Sequence, residues 1–262
     1  MAILTSSLLF SFILSSGVLA RPSSTFETRA VTNASLSDVS AAFSRAGIVP
    51  GVIPVFQPTG LLDVQFESVK VTPGINLTVK QVSTEPKFGL QVSDTTTASN
   101  AQFVIALVDP DAPTPQNRTF AQVRHLLGGG YHWDASTGAL TNTTAALSDF
   151  LPPGPPPGSD PHRYLVLAYV QSEGFSSKAP SLVNASTPIT GFNISTLSEA
   201  LGLGAPFAGT FFLTGPEAAN ATNTTAGSDP SPTPQGSGAI SVHTPFVMTA
   251  VVASALAISL LA

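Results

Sequence analysis

Two stretches of the sequence are apolar almost without interruption. Residues 102–109 read Gln-Phe-Val-Ile-Ala-Leu-Val-Asp, and residues 164–170 read Tyr-Leu-Val-Leu-Ala-Tyr-Val. Runs of strand length with no polar face fit strands covered on both sides. Such strands must lie inside a sheet, and that sheet needs packing layers above and below it.

The flanking pattern supplies the rest of a mainly β domain. Leu62, Val64 and Phe66 alternate with polar residues, as a half-buried strand requires. Val69 to Val71 predicts a short strand, and Thr72-Pro73-Gly74 a turn after it. Leu77 to Val82 alternates again, and Phe207 to Leu213 is a further strand. Apolar residues at helical spacing predict a helix over Leu36 to Ala46, with Ser35 as its cap and Gly47 as its stop. Shorter helices are expected at Ala145–Phe150 and at Leu197–Leu201, the second with a capping-box spacing from Thr196 to Glu199. Val49 to Pro58 holds three Pro and predicts an irregular crossing.

The two ends of the chain carry no charge at all. Residues 1–20 hold a short apolar block around Leu8 to Leu14, then Val18-Leu19-Ala20, the pattern of a secretory signal peptide cut before Arg21. Phe246 to Ala262 is an uncharged run of 17 residues with no basic residue after it. It is short for a membrane span, which takes about 20 residues. With the small residues Gly236-Ser237-Gly238-Ala239 and a polar spacer before it, this tail fits a glycosylphosphatidylinositol (GPI) attachment signal. Ser237 or Gly236 is the expected attachment residue, with Ser228 as an outlier. Residues 217–239 contain no large apolar side chain and read as a Ser/Thr/Pro-rich glycosylated stalk. The expected organisation is therefore a signal peptide at 1–20, a loose segment at 21–35, one domain at 36–216, a stalk at 217–240 and an attachment tail at 241–262.

Eight of the nine Asn stand in Asn-x-Ser/Thr: Asn33, Asn76, Asn117, Asn142, Asn184, Asn193, Asn220 and Asn223. That density predicts a glycoprotein of the secretory pathway, carried on the outer leaflet or cell wall by its anchor. It also accounts for a surface with few charges, since only 10% of the residues are charged. A net charge of −5 with ten basic residues leaves no footprint for nucleic acid. With no Cys, neither a disulfide nor a thiol nucleophile is available.

Two clusters carry chemistry. Asp109-Pro110-Asp111-Ala112-Pro113 ends the first apolar run with two carboxylates and two Pro. Residues 152–161 contain six Pro and lead through His162-Arg163-Tyr164 into the second run. A stiff loop of this kind loses little entropy on ordering and delivers its side chains at a fixed place. Between them lies His125, next to Leu126 and Leu127. Two His and two Asp could hold a metal, and Ser159 with His162 could form a nucleophile pair. Neither reading has motif support: Gly-x-Ser-x-Gly, His-Glu-x-x-His and phosphate-loop patterns are absent from the sequence.

On these residues the chain resembles the phosphatidylethanolamine-binding protein family. The resemblance rests on DPDAP at 109–113, His125, GPPPGSDPHRY at 154–164 and LGAPFAGT at 203–210, and covers about residues 61–213. It implies a mainly β fold with a few helices, a large central antiparallel sheet and a smaller sheet. It also implies an anion pocket built from Asp109, His125, His162 and Tyr164, with Pro110 and Asp111 shaping its wall. No cofactor and no metal are implied. The sequence departs from the family pattern in three places. Val123 and Arg124 stand where an aromatic and a second His are usual. Gly128-Gly129-Gly130 interrupts an apolar strand, which predicts an early end or a bulge. The stalk replaces a C-terminal helix that often closes the pocket.

The expected function is a non-enzymatic extracellular binding protein for phosphate- or carboxylate-bearing ligands such as phospholipid head groups. Some members of the family inhibit serine carboxypeptidases, so a protease regulator is the alternative. A cell-surface structural glycoprotein with a vestigial pocket is the third reading.

Overall fold

The computed structural model describes Phe26 and residues 31–217. The expected signal peptide, stalk, anchor tail, Asn220 and Asn223 lie outside the described residues.

Helix α1 (Asn33–Arg45) opens on a reciprocal cap. The Thr32 side chain accepts from the Ser35 backbone N–H, and the Ser35 side chain accepts from that of Thr32. Ser35 was expected to be the cap itself; it is the third helical residue, because Thr32 already stands extended in front of it. Gly47 follows the helix with φ +64°, a conformation that costs Gly nothing.

The strands are β1 (Gly60–Phe66), β2 (Val69–Lys70), β3 (Ile75–Asn76), β4 (Lys87–Val92), β5 (Gln102–Asp109), β6 (Val123–Trp133), β7 (Ala139–Thr141), β8 (His162–Val170) and β9 (Ala208–Thr214). They run in the order β2-β1-β4-β7-β6-β5-β8-β9-β3. All pairings are antiparallel except that of β3 with β9. These nine strands form one continuous sheet whose two parts are a large sheet, β6-β5-β8-β9-β3, and a smaller one, β2-β1-β4. The three-residue β7 pairs with β4 on one side and β6 on the other and joins the two.

The two uninterrupted apolar runs are the centre of the large sheet, as expected. Strand β5 is buried from Phe103 to Asp109, and β8 from Leu165 to Tyr169. Alternate residues feed two separate cores. Phe103, Ile105, Leu107, Tyr164, Val166 and Phe212 face the smaller sheet. Val104, Ala106, Val108, Leu165, Leu167 and Phe211 face the helices. On that second side Phe43 of α1 stacks on Phe56 with ring centroids 4.1 Å apart. Helices α3 (Phe175–Leu182) and α4 (Ile194–Leu201) complete the cover, while the short α2 (Thr95–Asn100) leads into β5.

Several local expectations are corrected. Leu77 to Val82 is not a strand: after β3 the chain turns into a single 3-10 turn at Val79–Val82, fixed by a reciprocal cap between Thr78 and Gln81. Ala145–Phe150 is not helical, because the N–H groups of Leu147 and Ser148 bond to the carbonyl of Leu127 on β6. Helix α4 starts at Ile194, three residues before the expected start. Its cap is Asn193, whose side chain accepts from the Thr196 N–H. Strands β4 and β7 and helices α2 and α3 have no counterpart in the sequence reading.

Candidate functional site

Asp109 is the last residue of β5, and His162 and Tyr164 lie at the start of β8, next to it in the sheet. Period-two alternation carries all three to the face that meets the smaller sheet. His125 comes from β6, on the other side of β5. Leu107 pairs with Leu126 but Val108 pairs with Arg124, so His125 is the extra residue of a β-bulge. Without that bulge His125 would turn to the helix side and Arg124 to the site. Bulges re-aim side chains in this way. A second register shift lies between Phe103 and Ile105, opposite the Gly128–Tyr131 stretch. Of the two outcomes expected of the Gly triplet, the strand bulges and continues to Trp133.

The result is a buried polar cluster. His162 Nδ1 lies 2.8 Å from Asp109 Oδ2, and the other Asp109 oxygen accepts from the Asp111 N–H at 2.7 Å. His125 Nδ1 lies 2.7 Å from the Leu151 carbonyl, which can only accept. That bond fixes the proton on Nδ1 and leaves Nε2 as the functional nitrogen. Nε2 has no hydrogen-bond partner among the described residues. The His125 ring stands edge-on to Tyr164, centroids 5.2 Å apart, and Tyr164 stacks on Phe212.

Burial sets the electrostatics. It pushes the His125 pKa below its ordinary value, helped by nearby His162 and opposed by the Leu151 carbonyl and Asp109. It also drives the Tyr164 phenol far above its usual value, with the Asp109 carboxylate adding to the shift. Tyr164 is therefore an O–H donor at any physiological pH.

Asp111 and Pro110 stand apart from this cluster. The Asp111 carboxylate is held by Arg163, through Nε at 2.8 Å and Nη2 at 2.6 Å, and by Arg118 at 3.0 Å. It also accepts the Arg163 backbone N–H. Burial alone would raise its pKa, but the bonds and charge of Arg163, with Arg118 behind them, hold it below the usual carboxylate value. Arg163 then reaches the carbonyl of Ala46 at the end of α1, 2.7 Å away. Pro110 lines a different cavity of about 210 Å³ with Arg118 and Arg163. The structure thus brings Asp109, His125, His162 and Tyr164 together, and Asp111 acts behind them by fixing the turn after β5.

Sequence reading passed over Leu151, Arg163 and Arg118 as parts of this apparatus. The order His162-Arg163-Tyr164 held a usable signal, since alternation along a strand sends the Arg to the face opposite its neighbours.

Ser159 Oγ lies 2.9 Å from His162 Nε2. With Asp109 this has the outline of a nucleophile, base and acid. A nucleophilic serine must direct its proton to the imidazole. The Ser159 hydroxyl donates instead to the Asp160 carbonyl at 2.7 Å, and the side chain is buried.

The family model described as phosphatidylethanolamine-binding protein matches residues 54–212. The carboxypeptidase Y inhibitor of Saccharomyces cerevisiae is 28% identical over 184 residues, covering 57% of this chain and 84% of that protein. The 26 kDa secreted antigen of Toxocara canis is 28% identical over 172 residues, covering 65% of this chain and 62% of that protein. Among solved structures, carboxypeptidase Y inhibitor complexed with its cognate proteinase superposes with a TM-score of 0.61 at 24% identity, covering 70% of this chain and 97% of that one. The phosphatidylethanolamine-binding protein from Plasmodium vivax gives 0.57 at 14% identity, covering 68% and 98%. These last two likenesses speak to the fold.

Proposed function

The chain belongs to the phosphatidylethanolamine-binding protein family, and from that premise we propose that it is a non-enzymatic binding protein for small phosphate- or carboxylate-bearing ligands. One observation carries the reading. The buried His125 ring has its Nδ1 committed to a carbonyl and its Nε2 unclaimed, beside the Tyr164 phenol, whose O–H is turned to the Asp109 carboxylate. A protonated Nε2 donates to an anionic oxygen, and a charge-assisted bond of this type is about twice as strong as a neutral one. Asp109 does not face the ligand; it orients His162, as an outer carboxylate orients a ligating imidazole. Phospholipid head groups and free phosphate monoesters share the chemistry this site selects.

The pH dependence has a definite sign. Burial lowers the His125 pKa in the free protein, and an anion at Nε2 raises it again. Binding therefore takes up a proton, and affinity rises as pH falls from the raised pKa of the bound form to the depressed pKa of the free one. The test is titration with phosphorylethanolamine and with inorganic phosphate, following the imidazole NMR signals between about pH 5 and 8. A ligand-induced upward shift of the His125 titration is expected. If neither His125 nor His162 responds to either probe, the proposal fails.

Inhibition of a serine carboxypeptidase is the second reading, favoured by the match to carboxypeptidase Y inhibitor over most of that protein's length. Within residues 21–35 Phe26 is buried against Gly89, where a β-carbon would lie 2.7 Å from its ring. An assay against a secreted carboxypeptidase, with the chain intact and lacking residues 21–35, separates inhibition from ligand binding alone. Loss of inhibition on truncation is the expected outcome for an inhibitor that uses this segment.

The setting we propose is the cell surface, with a GPI anchor and N-linked glycans. Of the sequon residues described, Asn33, Asn76, Asn117, Asn184 and Asn193 are exposed, which supports modification. Asn142 is half-buried and its amide donates to the Gly129 carbonyl at 2.7 Å. Glycopeptide mass spectrometry should find Asn142 the least occupied of the six.

A further inference from the structure

The bulge that turns His125 toward the site turns Arg124 the other way, into the helix side. Arg124 is only 2% exposed. A guanidinium has five N–H donors. Two are used here, one to the Thr187 carbonyl at 3.2 Å and one to the Pro188 carbonyl at 3.3 Å. Its Nε is buried with no partner. Among the described residues no carboxylate pairs with it. The ring of Phe192 lies 5.3 Å from the guanidinium carbon and is its remaining electrostatic partner.

A buried cation without an anion is costly, and such groups in folded proteins are normally paired. Desolvation lowers the Arg124 pKa, with no opposing charge to offset it. The same residue lines a cavity of about 410 Å³ whose walls include Leu182, Val183, Phe192, Leu197 and Ala200. That volume lies within the range of roughly 300–1,000 Å³ typical of small-molecule sites, and the wall also carries Thr187, Thr190, Asn193 and Thr196, so polar groups stand beside Arg124 and the apolar residues. Leu182 on the rim is 44% exposed, which leaves apolar surface open at the mouth.

We propose that this cavity binds an anionic amphiphile, a carboxylate or phosphate monoester on an apolar body. The head group pairs with Arg124, and the body lies along Leu182, Val183, Phe192 and Leu197. The fork of a guanidinium matches both anions in two-point geometry. This site lies on the opposite face of the large sheet from His125 and does not depend on the anion reading made there.

The test uses the chain secreted from a eukaryotic host and trimmed of its N-glycans, because Asn193 stands on the cavity wall, with calorimetric titration by octanoate, octyl phosphate and octanol. At least one of the two anions should bind ten times more tightly than octanol, and the stronger anion identifies the head group. Arg124→Gln should weaken that binding tenfold or more. Ala200→Trp, which fills the cavity from its exposed rim with Arg124 intact, should abolish it and covers the case in which the first variant does not fold. Equal binding of octanol, absence of binding at millimolar anion, or wild-type binding by Ala200→Trp would each overturn the proposal.

Discussion

Two charged side chains of opposite sign are buried almost equally in this domain, and the chain treats them in opposite ways. Asp111 is 1% exposed and has two arginines on it, one bidentate, plus a backbone N–H. Arg124 is 2% exposed and has two carbonyls and an aromatic face. Asp111 is complete within the chain. Arg124 is incomplete, with donors left over and an open cavity beside it. Where a buried charge fixes architecture, all its bonds come from the protein; a charge left short of partners points outward, to something the chain does not itself supply.

The sharpest way to break this contrast is to remove each charge. Asp111→Asn leaves the half-buried Arg163 with no counter-charge and should cost about 3 kcal/mol, the lower end of the usual penalty for breaking a buried pair. Denaturant unfolding of the variant measures it. The pH dependence should agree. Because the Asp111 pKa is depressed in the fold, its contribution is fully present above the unfolded value of about 3.9 and is lost as pH falls through the lower, folded value. Asp111→Asn should therefore lose this part of the acid sensitivity.

Arg163→Lys comes next. It keeps the charge but loses the fork, and a single ammonium cannot serve both Asp111 oxygens and the Ala46 carbonyl. A loss of about 2 kcal/mol is expected, on the scale of a hydrogen bond to a charged group. Arg124→Met is expected to be neutral or to stabilise the fold by up to about 1 kcal/mol, since it trades an uncompensated ion for apolar packing. A loss as large as that of Asp111→Asn would show that Arg124 is architecture after all. The smallest effect belongs to Arg118→Ala. Its side chain is 51% exposed, so its ion pair with Asp111 should contribute below about 1 kcal/mol and weaken with salt.

Much of this arrangement was legible in the residues. The two apolar runs mark β5 and β8, and the family resemblance groups Asp109, His162 and Tyr164, which stand at their ends, in one site. What could not be read was set by bonds between distant segments. Ala145 to Phe150 has helix-like composition, but its N–H groups go to Leu127, which no local pattern reveals. Strand β4 has Gly89 at its centre, a weak strand residue whose purpose is to let Phe26 lie against the backbone. Helix α3 carries Pro180 near its end, which lowers the helix propensity that its sequence displays. The side on which His125 falls depends on one extra residue in β6, and simple alternation from Leu126 places it on the wrong face.

The pairing of the last described strand carries a consequence for how the site is reached. Thr214, at the end of β9, is the partner of His162, and Gly215 follows against Pro161. The chain thus takes leave of the sheet beside the strand end that carries His162, where we propose that ligand binds. Any sugar, protease cut or tether placed just after Thr214 becomes part of the traffic at that entrance.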